Sequence, residues 1–136
     1  MQMENVMHKT LLPEGWPRPK GYANGILAQG SQHIFCGGQI GWTAEEVFEH
    51  LDFVGQFRQA LENVRAVLEA GGAGPEHMTR MTWYITDREA YLSNLREVGA
   101  AYRDVMGKNY PAMSVVVVSA LVEAQALVEI EVTAVL

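Results

Sequence analysis

Glu129 is a candidate residue for activating water. It stands in Val128-Glu129-Ile130-Glu131-Val132-Thr133-Ala134, where apolar and polar residues alternate with the period of a β-strand. A carboxylate held in a crevice can take a proton from water and return it to a leaving group, and one carboxylate serves both steps when burial raises its pKa. On the residues alone two readings stand. Glu129 does this chemistry, or Glu129 and Glu131 are the wet side of a half-exposed strand. Tyr22, beside Gly21, lines a cleft or packs as an ordinary interface or core tyrosine. Gly37-Gly38 interrupts a strand, as a bulge or as a close approach of backbone to a ligand. Cys36 alternates with Ile34 and Ile40, which places it in the core as a small apolar group. His8, His33, His50 and His77 share no ligand spacing with one another or with Cys36, so no metal site is expected.

The elements that position these residues follow from periodicity. Residues 1–20 carry Pro13, Pro17 and Pro19 and read as an irregular arm. Residues 21–136 read as one domain. Tyr22 to Gln29 and Gln32 to Ile40 are strand-like, with a turn at Gly30-Ser31. Asp52 to Ala70 is an amphipathic helix with Asp52 as N-cap and Gly71-Gly72 as its stop. Met78 to Ile85 is a strand with Met81, Trp83 and Ile85 on one side. Thr86-Asp87-Arg88-Glu89 has the form of a capping box, opening a helix that runs to about Met106. After the break at Pro111, Ser114 to Ala120 and Ala126 to Val135 are strands. The order β-β-α-β-α-β-β predicts an α+β, two-layer sandwich, with two helices on one face of a single mixed sheet. The other face would carry Phe35, Leu127, Glu129, Glu131 and Tyr84. It is too apolar for water across its whole width, which predicts an oligomer.

Composition narrows the partners. The chain has 136 residues, 49% of them apolar and 19% charged, enough for one domain burying roughly 65–70% of its unfolded surface. The net charge is −6, without a basic cluster, which argues against nucleic acid as a partner. The longest apolar run falls short of the ~20 residues of a membrane helix, and Met1 to Lys9 has no apolar core of a secretory signal. A lone cysteine fits a reducing compartment, so the expected location is the cytoplasm.

Four stretches together resemble the RidA/YjgF family of imine and enamine deaminases. Gly21-Tyr22 resembles the family's Gly-Pro-Tyr segment, and Gly37-Gly38-Gln39-Ile40 its Ser-Gly-Gln-Ile stretch. Gln59-Ala60-Leu61-Glu62-Asn63-Val64 resembles its first helix, and Val128-Glu129-Ile130-Glu131 its closing strand. The resemblance spans about Gly21 to Val135. It implies a homotrimer with a small-molecule ligand in each cleft between subunits, and no cofactor. It also implies hydrolysis of an imine: water attacks the C=N bond and ammonia leaves. Glu129 matches the carboxylate that positions the water, and Tyr22 matches the tyrosine that lines the site.

The sequence departs from the family at informative places. Pro111-Ala112-Met113-Ser114 stands where the family has Pro-Ala-Arg-Ser. That arginine grips a substrate carboxylate, and a thioether makes no bidentate contact to one. Gly37 replaces the family serine, and no residue near Leu95 and Arg96 matches its asparagine. With Gln39 and Trp42 added, the candidate binding residues are Met113, Gly37, Gln39 and Trp42. A cleft of this kind suits an aromatic, amide or thioester-linked imine better than a small free acid. The alternative is a catalytically silent trimer of the same fold that binds or senses a small ligand. A ribonuclease role, also attached to the family, fits poorly with the net charge of −6.

Overall fold

The computed structural model describes residues 8–136. Its frame is a four-stranded sheet of β3 (His33–Ile40), β6 (Val128–Val135), β4 (Met78–Ile85) and β5 (Ala112–Val117), in the order β3-β6-β4-β5. β6 runs antiparallel to both of its neighbours, and β5 runs parallel to β4. A parallel neighbour needs a crossover. Here it is helical, through α2 (Arg88–Leu92) and α3 (Leu95–Met106). With α1 (Phe53–Ala70) these helices form the second layer, and the fold is the α+β sandwich that the periodicity predicts.

The core lies between the layers. Val128, Ile130, Val132 and Ala134 of β6 are buried, as are Met81, Trp83 and Ile85 of β4. Phe53, Phe57, Ala60, Leu61, Val64 and Leu68 of α1 meet them at spacings of three and four. Each such large side chain contributes roughly 1.5–3 kcal/mol on burial. Asp52 caps α1 by accepting the Gly55 amide at 2.9 Å, and Gly72, at φ +82°, supplies the left-handed residue just past its end. Gln56 is the one fully polar side chain on the buried stripe, at 0% exposure. Its Nε2 donates to the carbonyls of His50 (3.1 Å) and Gln125 (2.9 Å), and its Oε1 accepts the Leu127 amide at 2.8 Å. Gly41 packs against it. A Cβ on Gly41 would lie 2.6 Å from the Gln56 carbonyl oxygen.

Several elements differ from the sequence reading. In the expected arm, residues 1–7 lie outside the described residues, and Lys9–Leu11 forms a short strand, β1. It pairs with β2 (Gly25–Leu27), all that is regular of the expected strand over 22–29, so a second two-stranded sheet accompanies the main one. The N-cap after β4 is Asp87, which accepts the amides of Glu89 and Ala90 at 3.0 and 3.2 Å. Thr86 cannot open the helix because its own amide still donates to Leu127 in the sheet, at 3.2 Å. The expected long second helix is two helices, making three in all. Asn94 Nδ2 donates to the Ala90 carbonyl at 2.7 Å and Ser93 Oγ to that of Glu89 at 2.6 Å. Short polar side chains compete in this way for the carbonyls that would carry the helix on.

The bulge at Gly37-Gly38 has the largest consequence. Cys36 pairs with Val132, but Gln39 pairs with Ile130, so β3 carries one extra residue there. An extra residue reverses which side each later residue faces. Gln39 consequently turns toward α1 and Ile40 stands opposite Glu129, whereas unbroken alternation would put Ile40 with Cys36.

Candidate active site

The candidate residues fall into three places on one chain. Tyr22 and Met113 share a cavity of about 410 Å³ between α3 and the edge strand β5. Its walls are aromatic and aliphatic, including Trp83, Tyr91, Tyr102 and Tyr110. Tyr102 and Tyr110 stack at 5.2 Å, and the Tyr102 hydroxyl donates to the Asn109 carbonyl, which ties the end of α3 to the loop before β5. Ala23 bridges to Ala112 beside β5, and that bridge brings Tyr22 to the cavity. Burial pushes the Tyr102 and Tyr91 phenols upward in pKa, so both are neutral at physiological pH.

Gln39 and Trp42 line a shallower groove against α1, together with Asn63 and Val67. Asn63 builds this corner. Its Nδ2 donates to the carbonyls of Ile40 (2.9 Å) and Trp42 (2.7 Å) while its Oδ1 accepts from Gln59 at 3.0 Å. Gly37 lies on the opposite face of the sheet, in a groove with Phe35, Arg80, Thr82 and Glu131.

Glu129 is half-buried on that open face. It lines none of these three cavities. Its carboxylate lies against the bulge: a Cβ on Gly38 would fall 2.1 Å from Oε2 and 2.8 Å from Cγ. Only glycine leaves the carboxylate that space. Glu131, two residues on, accepts the hydroxyl of Tyr84, and this bond is the main cause of a raised Tyr84 pKa. The Glu129 carboxylate accepts no hydrogen bond among the described residues, so its oxygens are available to water or ligand. The two acids of the strand are thus unlike.

The fold has counterparts among solved structures. A family model described as endoribonuclease L-PSP matches residues 18–136. The chain belongs to the RidA/YjgF family. A RutC family protein of Pyrococcus horikoshii is 31% identical over 128 residues, covering 92% of this chain and 95% of the relative. The Rid family protein YyfB of Yersinia pestis, of unknown function, superposes with a TM-score of 0.85 at 26% identity over 96% of this chain and 100% of that one. RidA from a Psychrobacter species gives a TM-score of 0.66 at 25% identity, over 94% and 99% of the two chains.

Two features of this RidA/YjgF chain go beyond the sequence reading. The first concerns a point the sequence leaves open, whether Arg80, Arg96 or Arg103 replaces the missing cation: Arg103, with Lys20, lines the cavity beside Met113. The signal for Arg103 is helical spacing: Gly99, four residues earlier on α3, leaves room for the guanidinium, whose Nη1 lies 3.3 Å from where a Gly99 Cβ would be. The second is Trp83, read only as a core residue on β4, which is 4% exposed and also part of the cavity wall. Cys36 is buried as expected, and burial raises its thiol to about 11. It is therefore no nucleophile at neutral pH.

Proposed function

We propose that this protein is a cofactor-free hydrolase of reactive imines or enamines, working as a homotrimer with its site between subunits. The carrying observation is the Glu129 carboxylate, seated against the glycine bulge with no hydrogen-bond partner among the described residues. In the reaction, Glu129 accepts a proton as the oxygen of water adds to the C=N carbon. The proton passes to nitrogen and gives a carbinolamine; Glu129 then takes the carbinolamine hydroxyl proton and delivers it to the amino group, so that the C–N bond breaks, C=O forms and ammonia leaves. One carboxylate and one water balance every step.

Two observations support an intersubunit site. Tyr22 and Met113 line a cavity that Glu129 does not line, and in the trimer reading a neighbour supplies the missing half. The open face also needs a cover: Phe35 is 78% and Val116 is 41% exposed, on the same side as Tyr84, Glu129 and Glu131. Apolar area of this kind marks an interface. The neutral Met113 and the aromatic walls favour a substrate larger than a small acid gripped at position 113.

The test is ammonia release from imines generated enzymatically in situ, alongside mass by sedimentation. The expected outcome is a trimer that accelerates release from bulky imines above buffer. A monomer, or a trimer with no acceleration across the panel but stabilised on heating by ligand, contradicts the enzyme.

A further inference from the structure

We infer that a phosphate-bearing ligand extends past Tyr22 and Tyr110 into a second cavity, where Arg18 and Lys108 hold its phosphate. The inference rests on the hydrolase reading in one respect only, that this ligand is the substrate; the binding stands apart from turnover. The second cavity, of about 250 Å³, lies between β1 with the arm that follows it and the loop from α3 to β5. Tyr22 and Tyr110 line both this cavity and the larger one beside Met113. A ligand lying on the two rings therefore reaches from one space into the other.

Donors converge on the second cavity from distant parts of the chain. Arg18 comes from the arm, Lys108 from the loop after α3, and Thr10 adds a hydroxyl from β1. No Asp or Glu lines this space, although Asp and Glu outnumber Lys and Arg by 16 to 10 in the chain. Neither cation makes an ion pair among the described residues. Glu76 shares a neighbouring cavity with Lys108, but its carboxylate lies beside His77, at 3.8 Å. Two cations at one small space repel each other, and an anion between them relieves the repulsion. A guanidinium fork beside an ammonium point charge suits a phosphate dianion, which offers several oxygens and two charges.

The backbone holds both cations in place before a ligand arrives. Arg18 stands between Pro17 and Pro19. Proline fixes its own φ and confines the residue before it to extended backbone. The arm is fastened to the loop before β5, where the Ala23 amide donates to the Pro111 carbonyl at 3.0 Å. Lys108 follows Gly107, whose φ of +67° turns the chain out of α3. Asn109 Nδ2 then donates back to the Met106 carbonyl at 2.8 Å. Backbone fixed in this way lowers the ordering cost of binding. Both Arg18 and Lys108 are exposed, so a ligand reaches them from solvent.

Calorimetry on the assembled protein tests this with phenyl phosphate, inorganic phosphate, phenol and phenylacetate. Inorganic phosphate lacks the ring, phenol lacks the anion, and phenylacetate lacks the second charge that a phosphate ester carries at neutral pH. Phenyl phosphate is expected to bind at least about tenfold more tightly than each of the other three. Arg18→Gln and Lys108→Gln should each weaken phenyl phosphate about tenfold and leave phenol unchanged. Arg88→Gln removes the same charge from the start of α2 and should change none of the four affinities. All three arginine and lysine positions are exposed, so the variants should melt with the unaltered protein. Inorganic phosphate or phenylacetate binding as tightly as phenyl phosphate overturns the inference, as does an equal loss in the Arg88→Gln variant. Phenyl phosphate bound as expected, with no imine hydrolysed, keeps this site and sinks the hydrolase reading. Hydrolysis of bulky imines without any preference for phosphate does the reverse.

Discussion

Glu129→Gln is expected to lower the rate of ammonia release about 10²–10⁴-fold, with substrate binding and melting temperature close to those of the unaltered protein. Glutamine keeps the shape and loses the proton acceptor. Gly38→Ala should approach the same loss by a different route. Its Cβ would overlap Oε2 at 2.1 Å and Cδ at 2.6 Å, so the carboxylate must swing out of its seat. Gly38 is exposed, and the substitution should cost less than about 1 kcal/mol of stability. The two changes act on one group, so the double variant should be no slower than Glu129→Gln alone. Glu131→Gln serves as the contrast, because Glu131 is already engaged by Tyr84. Kinetics on the four proteins decide the matter. Gly38→Ala at the unaltered rate would mean that the seat of Glu129 is irrelevant to turnover.

Gln56→Leu is expected to destabilise the fold by about 2–4 kcal/mol, read as a loss of roughly 10 °C in melting temperature. The change leaves the carbonyls of His50 and Gln125 and the amide of Leu127 without the partner that Gln56, itself at 0% exposure, supplies. Leucine recovers some apolar burial but cannot satisfy three backbone groups. The effect reaches the candidate site as well. Leu127 lies two residues before Glu129, so the amide held by Gln56 sets where β6 begins. Denaturant unfolding measures this directly, and a change below about 1 kcal/mol would show that water satisfies the orphaned groups.

The layers and the apolar faces were legible because period 2 and period 3.6 separate cleanly in β6, β4 and α1. What was not legible turns on single side chains that override period. One extra residue at Gly37-Gly38 reverses the facing of Gln39 and Ile40. Nothing in an alternating pattern announces on which residue the reversal starts. Thr86 and Asp87 are both good caps; the choice between them depends on a sheet bond from Thr86 to Leu127, a partner 41 positions along the chain. Glu129 and Glu131 look alike in sequence and differ only through Tyr84 and Gly38. Which of Arg80, Arg96 and Arg103 reaches the cavity is open in the sequence for a related reason. A departure at Met113 was visible, while the return of a guanidinium from α3 needs the helix to be docked over β5. Gln56 sat on an apolar stripe, where sequence alone reports a polar intruder rather than a threefold clamp.

The central claim is that Glu129 of one protomer works on a ligand held in the Tyr22 and Met113 cavity of its neighbour. It is tested most directly by mixing two inactive proteins. One carries Glu129→Gln; the other carries Tyr22→Ala with Met113→Glu and keeps Glu129. Unfolded together and refolded at equal amounts, they should regain about a quarter of the unaltered rate of ammonia release, since random assembly of a cyclic oligomer pairs intact halves in one interface of four. A mixture no more active than either variant alone would place both halves of the site on the same chain and contradict the account.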